Sequence, residues 1–267
     1  MDKKTNPFAK LFLMIIFVIL YAPIFFLIYY SFNSGETMSH FEGFTLEWYE
    51  QLFSNTRLLI IVLNTLVVAL LSSIIATIIG VCGALAIYSY RKRETKNTLL
   101  SLNNVLIVSP DVIMGASFLI LFTIAGIQLG FVSVLLSHIA FSIPIVVLLV
   151  LPKLNEMSPT LIDAAKDLGA NHWQILTTVV LPYITPGIFA GFFMALTYSL
   201  DDFAVTFFVT GNGFSTLPVE IYSLARRGIS LEINALSAVL FLFTIILVIV
   251  YYYLSKRTST RTMGVRK

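Results

Sequence analysis

The sequence predicts an all-α membrane protein of six transmembrane helices. Of its 267 residues, 58% are hydrophobic and 12% charged. Soluble domains carry about 25% charged residues, so half that density leaves most of the surface to face lipid. Apolar runs of the roughly 20 residues that a helix needs to cross a bilayer recur six times. The basic residues also collect on alternate connections between those runs, as they do in a polytopic membrane protein.

The expected spans are residues 11–30, 61–88, 99–122, 131–151, 184–208 and 235–254, within a single transmembrane domain over 1–267. The first run follows Lys3, Lys4 and Lys10, as a signal peptide would. It is too long for a typical h-region, however, and no small-x-small cleavage site follows it. The third run is interrupted by Asp111 just after Pro110, where the missing backbone donor allows a kink. The fifth contains Asp201 and Asp202. Tyr251, Tyr252 and Tyr253 before Lys256 fit an interfacial aromatic belt at the end of the sixth. The single cysteine, Cys82, excludes an intrachain disulfide.

Six spans divide the connections between two sides. The N-terminus, the 91–96 connection, the 153–182 connection and the C-terminal tail together hold fourteen of the seventeen basic residues. The positive-inside rule places that side, with both termini, in the cytoplasm of a plasma (inner) membrane. The opposite side holds Glu36, Glu42, Glu47, Glu50, Glu220 and Glu232 against Arg57, Arg226 and Arg227. A net negative face of this kind attracts cations weakly and is screened by salt.

The 153–182 connection is too polar for lipid and too patterned for a linker. Ser158-Pro159 reads as N-cap and N1 of a helix over Thr160 to Leu168, which Gly169 ends in the left-handed conformation. Asn171 with Gln174 is a capping-box variant that starts a second helix. Trp173, Leu176 and Val180 are expected on one face of it, and Pro182 is expected to end it. By pattern alone, the segment is either an amphipathic pair on the membrane surface or a docking element.

Residue identities decide between these. Asp163-Ala164-Ala165, then Gly169, then nine residues, then Val179-Val180-Leu181-Pro182 resembles the EAA motif of ABC importer permeases. Asp163 stands where Glu is usual and Val179 where Ile is usual; both keep the chemical character. Ser109-Pro110-Asp111, the segment Ser137 to Pro144, Ser199 to Asp202, Phe208 to Gly211 and Glu232 to Leu236 extend the likeness along nearly the whole chain. Together they resemble the permease subunits of spermidine/putrescine ABC importers.

That resemblance implies the MetI-like architecture of type I ABC importer permeases. It makes 153–182 an ATPase-coupling loop, with Asp163, Ala164, Ala165, Gly169, Leu181 and Pro182 at the contact. It implies a homologous second permease, two ATPase subunits that bind ATP and Mg, and an extracellular polyamine-binding protein. No cofactor is expected in this chain itself.

Ionisable groups inside spans are costly, which makes Asp111, Asp201 and Asp202 candidates for a substrate pathway. No Lys or Arg lies within a span to neutralise them, and the ammonium groups of a polyamine would. The alternatives remain open: Asp111 protonated or bonded to a neighbouring hydroxyl, and one of the later pair capping the next segment. Adjacent helical residues point about 100° apart, so at most one of Asp201 and Asp202 squarely faces a given pathway. His138 reads as a hydrogen-bonded structural histidine near Ser137 and Ser142. Two rows of small residues, Ala76-Gly80-Ala84 and Gly187-Gly191-Ala195, read as close helix contacts, within the subunit or at a permease interface.

No phosphate-binding loop, H-E-x-x-H or G-x-S-x-G occurs, so a non-catalytic transport subunit is expected rather than an enzyme. The functional expectation is an ATP-driven polyamine importer permease. A permease for another small solute, or a self-contained cation carrier or channel, is the alternative.

Overall fold

The computed structural model describes residues 7–35, 37–90, 92–227 and 231–264; the side chains of 7, 9, 227, 247, 248 and 250–264 lie outside that description. The expected roles of Lys3, Lys4, Glu36, Arg91 and the Tyr251 to Tyr253 belt therefore fall outside it. Among the described residues the regular elements are all helices, joined by turns and irregular segments, with one isolated bridge between Asn33 and Phe44. They divide into two compact units, residues 1–59 with 223–267, and residues 60–222.

In the first unit, α1 (Pro7–Tyr30) runs beside α12 (Leu231–Gly264), with Phe25 edge-on to Phe241 at 6.2 Å. Between α1 and α2 (Glu47–Ser54) the chain turns around buried Asn33. Its Nδ2 donates to the carbonyls of Thr37 and His40, both at 2.9 Å, and its Oδ1 accepts from Glu42 N–H at 2.8 Å. Trp48 Nε1 donates to the Asn33 carbonyl at 2.7 Å. One amide thus satisfies the backbone of a connection that lacks a ladder of its own.

The second unit is built on α6 (Phe131–Glu156), against which α9 (Leu181–Leu200) makes the most extensive helix contact. Small residues allow it. A Cβ on Gly187 would lie 3.0 Å from the Leu149 carbonyl, and one on Gly191 3.2 Å from Val146 Cα. On the long α3 (Thr56–Ser89), a Cβ on Gly80 would lie 2.6 Å from Val146 Cβ. Both small-residue rows thus pack within this chain. One apolar core gathers Ala84, Val146, Val150, Leu154 and Ile184; a second gathers Val68, Met114, Phe141, Val205 and Val209.

Two expected spans are not continuous. The third is a pair, α4 (Arg93–Val108) and α5 (Asp111–Ile124), bent by 102° at Ser109-Pro110. Pro110 can neither donate a backbone hydrogen bond nor leave Ser109 in helical conformation, so the kink becomes a break. The fifth ends at Leu200; residues 201–203 are irregular and α10 (Ala204–Val209) follows. Among the described residues, four helices are long and apolar enough to cross a membrane, or five if the bent pair is one span. Leu231–Ile246, within α12, is a shorter apolar stretch, and 251–254 close the expected sixth span with side chains outside the description.

Candidate functional site

The 153–182 connection folds as α7 (Pro159–Asp167), a glycine turn and α8 (His172–Ile175). Ser158 occupies the N-cap and Pro159 the first turn, but the Ser158 hydroxyl pairs with Thr160 Oγ1 at 2.8 Å instead of capping the backbone. At the other end, Ala170 N–H bonds the Ala165 carbonyl and Gly169 N–H the Lys166 carbonyl. That is a Schellman closure, and it requires the left-handed residue, Gly169 at φ +83. A Cβ there would touch nothing within 4 Å, so the demand for glycine is conformational, not steric. The capping box is complete: Asn171 N–H donates to Gln174 Oε1 at 2.8 Å and Gln174 N–H to Asn171 Oδ1 at 2.9 Å.

Pro182 does not end the second helix. A π-helical turn, Leu176–Val180, joins α8 directly to α9 as one rod from His172 to Leu200. Leu181 N–H reaches back to the Leu176 carbonyl, and this wider turn accommodates the proline ring that an α-helical register would press into the preceding turn. The extra residue also shifts the buried face. Ile175, Val180 and Ile184 turn inward, whereas Trp173, expected among them, is 71% exposed.

The two sides of α7 are distinct. Ile162, Ala165 and Ala170 sit against the α6–α9 core. Leu161, Asp163, Ala164, Leu168 and Gly169 are exposed, Leu168 to 89%. Of the expected contact residues, then, Asp163, Ala164 and Gly169 lie on the open face, and Ala165 and Leu181 pack inward. Pro182 is exposed in the first turn of α9. Asp163 Oδ1 meets Lys166 Nζ at 3.4 Å, an exposed pair that adds little stability.

The three acids occupy different settings. Asp111 begins α5, is exposed, and accepts a hydrogen bond from Tyr198 Oη at 2.9 Å. Tyr198 rests edge-on against Phe141 at 5.1 Å and, with Met114 and Leu106, lines a 290 Å³ apolar cavity between α4, α5, α6 and α9. Asp201 lies one turn beyond Tyr198, exposed, with no hydrogen bond or ion pair to its carboxylate among the described residues. Asp202 turns inward. Its Oδ2 accepts from Thr206 N–H at 2.8 Å and Thr206 Oγ1 at 2.7 Å, and its Oδ1 from Val205 N–H at 3.3 Å. It therefore covers the N-terminal donors of α10.

His138 is 1% exposed and bonded on both ring nitrogens, Nδ1 to Ser199 Oγ at 2.6 Å and Nε2 to Thr206 Oγ1 at 2.8 Å. Asp202 Oδ2 lies 3.5 Å from Nε2, and Ser72 Oγ lies 3.1 Å from Ser199 Oγ. The histidine's partners are thus these distant hydroxyls; Ser137 bonds the Ser133 carbonyl, and Ser142 Oγ has no hydrogen-bond partner among the described residues. Sequence reasoning passed over Tyr198, Ser72 and Thr206, and took Ser199 only as part of the Ser199 to Asp202 likeness. Only Thr206, a hydroxyl four residues after an acid pair in an apolar run, carried a local signal.

Solved structures define the fold. The chain superimposes on a chain of the MetNI methionine ABC transporter in an inward-facing conformation with TM-score 0.61 and 20% identity, covering 76% of this chain and 96% of that one. It superimposes on a chain of a bacterial alginate ABC importer with TM-score 0.67 and 16% identity, covering 93% and 94%. At these identities the likeness gives the fold, the MetI-like fold of type I ABC importer permeases.

Residues 76–261 match the family described as binding-protein-dependent transport system inner membrane component, and the chain belongs to that family. Among its relatives, the spermidine/putrescine transport system permease protein PotC of Escherichia coli (strain K12) is 40% identical over 253 residues, covering 95% of this chain and 96% of the relative. PotC of Haemophilus influenzae is 35% identical, covering 93% and 96%. The putrescine transport system permease protein PotI of Escherichia coli (strain K12) is 31% identical, covering 95% and 92%.

Proposed function

We propose that this chain is one permease subunit of an ATP-driven importer that moves polyamines of the spermidine and putrescine class into the cytoplasm. The observation that carries the reading is end-to-end identity of 40% to a spermidine/putrescine permease. Bare or singly bonded carboxylates at Asp111 and Asp201 support it, as natural counter-charges for separated ammonium groups. The chain forms a single permease domain of six spans, with the bent α4–α5 pair and the α9–α10 pair each completing one, and both termini are cytoplasmic. It works with a homologous second permease, two ATPase subunits and an extracellular binding protein. ATP and Mg are held by the ATPase, and this chain is not itself an enzyme.

The 153–182 loop is the coupling element. Its open face, Leu161, Ala164, Leu168 and Trp173, offers apolar surface to the ATPase, with Asp163 beside it. Its inner face, Ile162, Ala165 and Ala170, seats that surface on the α6–α9 core. A ligand shifts a conformational equilibrium only through contacts that differ between the states. Here those contacts are the open face against the ATPase, and the inner face carries their displacement to the spans.

The test is uptake of labelled spermidine and putrescine in cells with and without this chain, its partner subunits held constant. Uptake that requires the chain and disappears on ATP depletion is the expected result. Uptake indifferent to the chain removes the polyamine assignment.

A further inference from the structure

His138 bridges the two sides of a broken helix. It stands on α6, bonds Ser199 in the last turn of α9, and bonds Thr206 in the first turn of α10. Ser133, also on α6, donates to the Val209 carbonyl at 2.7 Å and ties down the far end of α10. The irregular residues between, 201–203, contain both acids of the fifth span.

The direction of these bonds follows from counting protons. Asp202 receives three donors and gives none, the role of a carboxylate. The one hydroxyl proton of Thr206 points to Asp202, so toward His138 that oxygen accepts and Nε2 carries the hydrogen. In the neutral ring Nδ1 then accepts from Ser199, whose oxygen lies 3.1 Å from Ser72 Oγ, a hydroxyl that also reaches the Ala69 carbonyl at 3.2 Å. From Ser199 through His138 and Thr206 the protons point toward Asp202, and each of these polar groups has a partner.

We propose that His138 is a positioning residue for transport: it holds the α9–α10 break in the form in which Asp202 is consumed as a helix cap and Asp201 alone is left to meet a substrate ammonium group. The inference rests on the polyamine-permease reading and divides its acid pair into a structural and a substrate-facing member. Asp201 follows Tyr198 by one turn on the same face, and Tyr198 bonds Asp111. The break therefore also sets which acids can serve one polyamine together.

The experiment uses the complete importer in proteoliposomes and measures ATP-dependent spermidine uptake per chain. Thr206→Val keeps the shape and removes the hydroxyl that bridges His138 Nε2 and Asp202 Oδ2; Thr206→Ser restores it. Thr206→Val is expected to lower uptake per chain about tenfold, Thr206→Ser to recover most of that loss, and Asp201→Asn to lower uptake about tenfold in the wild type but less than about twofold in the Thr206→Val background. Full activity of Thr206→Val per chain, or an equal effect of Asp201→Asn in both backgrounds, overturns the inference while leaving the importer reading intact. If Thr206→Val instead fails to reach the membrane, the same cycle is run with Ser199→Ala and the same two outcomes decide. Wild-type importer that takes up no polyamine overturns both the inference and the reading beneath it.

Discussion

The third and fifth apolar runs both break, and they break by different means. At Ser109-Pro110 the chain bends by 102° because of a covalent ring, and one exposed bond from Tyr198 reaches across to the new helix start at Asp111. At 201–203 there is no proline and no glycine. The break is held by buried side chains: Asp202 against the α10 donors, His138 across both helix ends, Ser133 at the far side. The first break is a local property of the sequence. The second exists only when α3, α6, α9 and α10 are together.

That difference orders the effects of mutation. Asp202→Ala strips an acceptor from two backbone donors and a hydroxyl, and is expected to cost about 2–3 kcal/mol. It should appear as a lower unfolding midpoint of the detergent-solubilised complex and less chain in the membrane; an unchanged midpoint would mean that packing alone sets the break. Gly169→Val, at a turn made by backbone conformation alone, is expected to cost about 1–2 kcal/mol locally. Transport should fall while the amount of chain in the membrane stays constant, and normal transport would count against docking through this loop. Ser199→Ala leaves the His138 Nδ1 atom without its donor, at about 1 kcal/mol. A midpoint shift smaller than that of Asp202→Ala, measured in the same way, is the expected outcome. Tyr198→Phe removes the single bond at the proline break, and its exposure keeps the cost near about 0.5 kcal/mol. The midpoint should hardly move, with any loss confined to uptake; a shift as large as that of Asp202→Ala would erase the distinction between the two breaks.

Legibility in the sequence follows the same line. The helix–glycine–helix loop was readable because its determinants lie within a few residues: Ser158-Pro159, Gly169, and Asn171 with Gln174. The Pro110 interruption was readable for the same reason, though its size was not. The break after Leu200 was hidden because Phe203 to Phe208 continues the apolar run, and an apolar run alone does not distinguish one helix from two. The partners of His138 lie 61 and 68 residues away, beyond any local pattern. The outward turn of Trp173 depended on a π-helical turn that shifts the register by one residue, which a constant 3.6-residue period cannot represent.

The close seams around Val146 have a mechanical consequence. Gly80 of α3 and Gly191 of α9 both lie against this one residue: a Cβ at Gly80 would lie 2.6 Å from Val146 Cβ, and one at Gly191 3.2 Å from Val146 Cγ1. The inner face of the 153–182 loop joins the same core through Ile162 and Ala165. A core so tightly filled is hard to compress and transmits strain. A displacement at Ile162 or Ala165 is thereby carried through Val146 to α9, the helix that carries Tyr198 near its end.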